Sequence, residues 1–138
     1  MVGSAIVREL HRQGYMNITT RTHAELDLTR QEAVEKIFCG SKNRNMSFLA
    51  AAKVGGIIAN QSALADFMYD NMILEMNVIH AAWKNGCKKL EFLGSSCIYP
   101  RLAPQPMPES CLLTSELEKT NEAYALAKIS GIEVLRTF

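Results

Sequence analysis

Helix-periodic runs alternate with short apolar runs along most of the chain, and that alternation limits the available folds more than any other feature. In residues 1–13 apolar side chains recur at Val2, Ala5, Ile6 and Leu10, and Gly14 is the stop. Residues 17–22 form a short β-prone run. Residues 24–28 lead into a second helix, with Thr29 the expected N-cap, Glu32 closing a capping box and Gly40 at its end. MSFLAAA, residues 46–52, reads as a strand of small residues before the turn Lys53-Val54-Gly55-Gly56, whose glycines suit either close approach of a ligand or a plain change of direction. A long helix is predicted over 63–85, with Phe67, Asn71, Leu74, Val78 and Ala81 on one side and Gly86 as its stop. An apolar strand at 89–93 and a helix around Tyr124 complete an α-β-α-β-α-β-α order. That order predicts an α/β fold, a doubly wound parallel sheet with right-handed crossovers.

In this architecture strands run 3-2-1-4, with the first strand between the second and the fourth. The chain opens on a helix, so a partial sheet lacking its first strand is expected. The glycine-rich turn that brings a dinucleotide pyrophosphate to the first helix is then represented only by Gly3.

At 138 residues, 48% hydrophobic and 21% charged, the chain suits one globular domain. A net charge of +1 with dispersed Lys and Arg gives no electrostatic footprint for nucleic acid or membrane binding. Cys39, Cys87, Cys97 and Cys111 form no C-x-x-C pair and have no His at zinc spacing, so no metal site is expected. They read as reduced thiols of a cytoplasmic protein, and nothing at the N-terminus resembles a cleavable signal. No apolar run approaches the roughly 18 residues of a spanning helix, and the prolines gather at 100–108 in a surface connection.

The chemistry-bearing stretch is KLEFLGSSCIYP, residues 89–100. Its strand stops at Gly94-Ser95-Ser96, where ligands bind in open parallel sheets. Downstream, Tyr124 and Lys128 share one face of a helical stretch. Alone, that spacing equally describes an exposed helix face. Combined with a serine strand end, it describes carbonyl chemistry: Ser95 bonds a carbonyl oxygen and Tyr124 supplies the proton as hydride arrives. Lys128 is expected to pull the phenol's pKa down from about 10.

These stretches, with MVGSAI, RTHAELDLTRQ, LAAAKVGGI, ADF, PQPMPES and TNEAYALAKISGI, resemble the GDP-L-fucose synthase family of extended short-chain dehydrogenase/reductases over essentially the whole chain. LGSSCIYP is the most diagnostic, since related nucleotide-sugar dehydratases typically carry Thr-Asp-Glu at that strand end. The resemblance implies a Rossmann-type NADP-binding domain, incomplete over 1–138 and without the C-terminal substrate domain. It implies an enzyme that epimerises GDP-4-keto-6-deoxymannose at C3 and C5 and then reduces C4. Ser95, Tyr124, Lys128 and, as epimerisation acid/base, Cys97 would be catalytic; Cys97 also reads as a small buried apolar residue. The cofactor would be NADP(H): Arg21 and His23 stand where NAD-preferring sites place a carboxylate, although Arg21 also reads as a solvated cation. Glu25, Asp27 and Leu28 would lie near the adenosine. Leu49, Ala50, Ala51 and Ala52 would line the dinucleotide path, and Leu93, Gly94, Ser95, Ser96 and Lys128 its nicotinamide end.

The family's catalytic histidine would lie outside the chain, and His11, His23 and His80 do not match its motif. A GDP-sugar is the implied substrate, and a homodimer through helices 63–85 and 121–138 the implied assembly. Two other readings fit the residues: a non-catalytic remnant that associates with an intact synthase, and a related nucleotide-sugar 4-epimerase or dehydratase.

Overall fold

A computed structural model describes residues 1–40 and 45–138, with backbone only at Ile57. The order is α1 (Val2–Arg12), α2 (Gln31–Cys39), β1 (Ser47–Leu49), α3 (Ile57–Ser62), α4 (Leu64–Lys84), β2 (Leu90–Phe92) and α5 (Glu122–Thr137), with 3-10 turns at Ser96–Ile98 and Glu109–Cys111. The expected α/β class is what forms. The strands β1 and β2 are parallel, with Ser47 opposite Leu90 and Leu49 opposite Phe92. Joined through α4, they make one βαβ unit.

Two expectations about the sheet need correction. Residues 17–22 form no strand, and among the described residues the sheet has two strands, β1 beside β2. The 3-2-1-4 count would have put these two at opposite edges. They pair because the α4 crossover returns the chain next to the strand it left, the commonest arrangement for consecutive elements. The β1 ladder is also shorter than 46–52: Ala50 and Ala51 continue past its paired residues without strand geometry.

The α4 stripe is borne out. Phe67, Leu74, Val78 and Ala81 are buried, and so is Asn71. Leu74, Val78, Ala81 and Ala82 close on Val34 and Phe38 of α2 and on Leu49, with Leu90 and Phe92 packed around them. Asn71 is buried because it replaces backbone partners. Its Oδ1 accepts from Lys53 N at 2.8 Å, and its Nδ2 donates to Lys53 O and Phe67 O. That clamp fixes the turn after β1, and the same turn carries the unexpected short helix α3. Gly55 is required there by close approach, since a Cβ would lie 2.9 Å from Phe67 Cζ.

The predicted N-cap of α2 is also corrected. Arg30 caps it without a side-chain hydrogen bond, because the Thr29 hydroxyl donates instead to Asp27 Oδ1 at 2.7 Å. A local Asx-type turn outcompetes the cap. In α1 no residue is buried, although Ile6 and Leu10 are partly covered. Ile6 and Leu10 face an open groove rather than a core, and Val2 and Ala5 of the expected stripe are exposed.

A second cluster lies beyond β2: Ile98, Leu117, Ala125 and Ile129, with Cys97, Tyr99 and Leu126 against it. It seats the turn Ser96–Ile98 on α5.

Candidate active site

The backbone leaves β2 at Leu93, and Ser95 then takes extended geometry as the N-cap of the turn Ser96–Ile98. Its hydroxyl accepts from Cys97 N at 3.5 Å and lies 3.1 Å from Cys97 Sγ. On the facing side α5 presents Tyr124, half-buried, whose phenol hydrogen-bonds with Ser95. The Ser95, Cys97 and Tyr124 groups therefore converge at the carboxyl end of β2. Helical spacing carries Lys128 below Tyr124, with Nζ 5.9 Å from its ring centroid.

Lys128 is 2% exposed. Its Nζ donates to Leu93 O at 3.0 Å and sits 4.5 Å from the centroid of the Phe92 ring. The same ammonium lies 2.9 Å from Glu75 Oε1 on α4. Apart from that ion pair, neither Glu75 carboxylate oxygen has a hydrogen-bond partner. The exposed-face alternative for Tyr124 and Lys128 is thereby excluded.

Lys128 does not lower the Tyr124 pKa as expected. Burial pushes the phenol above its ordinary value of 10.0, the Cys97 and Glu75 charges push in the same direction, and only the Ser95 hydrogen bond pulls back. The ammonium's field is largely spent on Glu75, and burial penalises a phenolate. The phenol holds its proton at neutral pH. Such a group acts as an acid, releasing the proton when negative charge develops on an oxygen beside Ser95.

Glu75 was not singled out from the sequence. Helical spacing signalled it, since it follows Asn71 by one turn and Leu74 by one residue on the inward face of α4. Burial lifts its carboxyl above the usual carboxylate value, while Lys128 draws it partly back.

The residues assigned to cofactor binding fall into two places. Gly3, Arg21, Glu25, Leu28, Leu49, Ala50 and Ala51 border one open groove of about 1610 Å³ between α1, residues 15–22 and β1. At that size it is a trough rather than a fitted pocket. A Cβ at Gly3 would lie 3.6 Å from Ala50 Cβ, so the start of α1 rests on the end of β1. The first turn of α1 has no side-chain cap and no acidic residue, which leaves its N–H groups free for an anionic ligand.

Leu93, Gly94, Ser96 and Lys128 stand instead with the Ser95 cluster at the end of β2. His23, Asp27 and Ala52 lie outside the groove's lining. The Asp27 carboxylate is held by Thr29 and Glu25 by Thr22, and those hydrogen bonds depress both pKa values. Arg21 donates to Thr20 O at 2.6 Å and is exposed, in keeping with the solvated reading. Among the described residues no cluster of His, Cys, Asp and Glu could hold a metal, and no helix is long and apolar enough to cross a membrane.

The family model for the NAD dependent epimerase/dehydratase family matches residues 1–138. The chain belongs to that family. It is 58% identical over its full length to GDP-L-fucose synthase 1 of Arabidopsis thaliana and 54% identical to GDP-L-fucose synthase of Escherichia coli strain K12. Those alignments span 42% and 43% of the two relatives, so the chain covers less than half their length. Among solved structures it is similar to MlghC, a GDP-mannoheptose C4 reductase from Campylobacter jejuni with NADP bound, with a TM-score of 0.90 and 39% identity. That match covers 96% of this chain and 41% of that one. Membership of this epimerase/dehydratase family accords with the α/β fold and its βαβ unit.

Proposed function

We propose that the chain belongs to an NADP(H)-binding Rossmann-type domain in a GDP-L-fucose synthase. The enzyme would epimerise GDP-4-keto-6-deoxymannose at C3 and C5 and reduce its C4 ketone. One observation carries this reading: Ser95, Cys97 and Tyr124 meet at the end of β2, with Lys128 buried beneath them. The relatives' names support the substrate class, and the NADP in the similar reductase supports the cofactor.

In this reading the groove along α1 and β1 takes the dinucleotide, whose pyrophosphate would meet the free N–H groups at the start of α1. When bound, the cofactor supplies the hydride. Ser95 orients the sugar carbonyl, and Tyr124, its proton retained by burial, delivers that proton to the forming alkoxide. A C4 ketone acidifies the protons on C3 and C5. In this reading Cys97, 3.1 Å from the Ser95 hydroxyl, would move them. The faces of α4 and α5 turned away from the core would meet a second copy, and the cytoplasm is the expected compartment.

The test separates the two steps. In the chain completed to the length of its relatives, given NADPH and the keto sugar, Tyr124→Phe should cut nicotinamide oxidation by about 10²–10⁴-fold while deuterium from solvent still enters the ring. Cys97→Ser should abolish the deuterium uptake. Uptake that persists undiminished in Cys97→Ser would favour a 4-epimerase or dehydratase, which has no use for that thiol.

A further inference from the structure

Glu75 has no part in the chemistry just described, yet the fold is arranged around its carboxylate. It is fully buried on α4, between the sheet and α5. It reaches that place because α5 carries no side chain opposite it: a Cβ at Gly131 would stand 2.9 Å from Glu75 Oε2. A buried carboxylate with no donor other than one ammonium is costly, and packing could have replaced it with an apolar residue. Its single partner is Lys128, 2.9 Å away.

We propose that Glu75 is a positioning residue, the counter-ion that holds the Lys128 ammonium charged and fixed at the Leu93 carbonyl beneath Tyr124. The groups around that ammonium define the alternatives. From α4 comes Glu75; from β2 and its end the Phe92 ring and the Leu93 carbonyl; and from α5 itself the Tyr124 ring. Of these, Glu75 is the one carboxylate. The carbonyl and ring fix direction, but neither supplies a full opposite charge in a site closed to water. With Glu75 neutral, burial favours loss of the lysine proton.

The inference gives Lys128 its importance through the proposed reductase reading, but its test does not require turnover. In purified protein labelled with ¹³C at lysine Cε, the Lys128 signal is assigned by its absence in Lys128→Met and followed against pH. Glu75→Gln, which keeps shape and removes charge, should lower the Lys128 titration by about one pH unit or more. Glu75→Asp, which retains a carboxylate one methylene further away, should shift it less but in the same direction, and it serves if the glutamine variant does not fold. An unchanged titration in a folded variant would overturn the inference, because carbonyl and rings would then suffice. If the titration shifts while wild type completed to the length of its relatives neither oxidises NADPH nor exchanges deuterium, the reductase reading fails and the counter-ion role stands.

Discussion

Replacing Gly131 by alanine tests how tightly α4, α5 and β2 close around the buried ion pair. The new methyl would stand 2.8 Å from Phe92 Cζ and 2.9 Å from Glu75 Oε2. The ring contact is roughly 0.7 Å inside ordinary carbon–carbon separation. Neither neighbour has an easy retreat. Phe92 packs against the main core, and Glu75 is held by Lys128. Overpacking of this kind costs about 1–3 kcal/mol. Against it, alanine is favoured over glycine in a helix interior by about 0.8–1.0 kcal/mol. The two leave a net loss of about 1 kcal/mol, which at a urea dependence of about 2 kcal/mol per molar lowers the unfolding midpoint by about 0.5 M. Equilibrium urea titration followed by circular dichroism reads it directly. A midpoint raised by a similar amount would mean that helix propensity acts alone, and that Gly131 is not the close approach through which Glu75 meets Lys128.

Two further outcomes follow from buried polar groups. Asn71→Ala leaves Lys53 N and O without their side-chain partner and should destabilise the fold by about 1–3 kcal/mol in the same titration; a loss under about 0.5 kcal/mol would mean that water replaces the clamp. Burial raises the Glu75 carboxyl above its ordinary value of 4.5, so its proton is bound more tightly in the folded state. The stability from this group is then fully present below pH 4.5 and is lost as pH climbs through the folded value. Wild-type stability relative to Glu75→Gln should therefore fall from acid towards neutral pH. A rise over that interval would show that attraction to Lys128 outweighs burial.

Much of the architecture was legible because it follows from periodicity. The α4 stripe from Phe67 to Ala81 repeats at helical spacing and is buried. The apolar run before Gly94 contains β2, which ends one residue before Leu93 closes the run. Residues 17–22 carry β-prone side chains, but a strand exists only through its neighbours, and local sequence does not say which neighbour will be present. The Thr29 cap failed for a related reason: Asp27, two residues away, accepts from the same hydroxyl and holds it in a local turn.

The site divides along the same line. Ser95, Cys97, Tyr124 and Lys128 were visible as residue types with the right spacing, because strand end and helical turn are local. The electrostatic sense of Lys128 was not, because it depends on a carboxylate 53 positions earlier on another helix. A lysine one turn from a tyrosine lowers its pKa only while the ammonium's charge is uncommitted. Here Glu75 takes that charge at 2.9 Å, whereas the Tyr124 ring centre is 5.9 Å from Nζ. Coulomb attraction grows as separation and dielectric shrink, so the nearer, wholly buried partner dominates. What reaches the phenol does not offset burial, because the Glu75 charge pushes its pKa in the same upward direction. Tyr124 consequently starts as a proton donor, and a lysine whose charge were free would instead bias it towards phenolate before any substrate arrived.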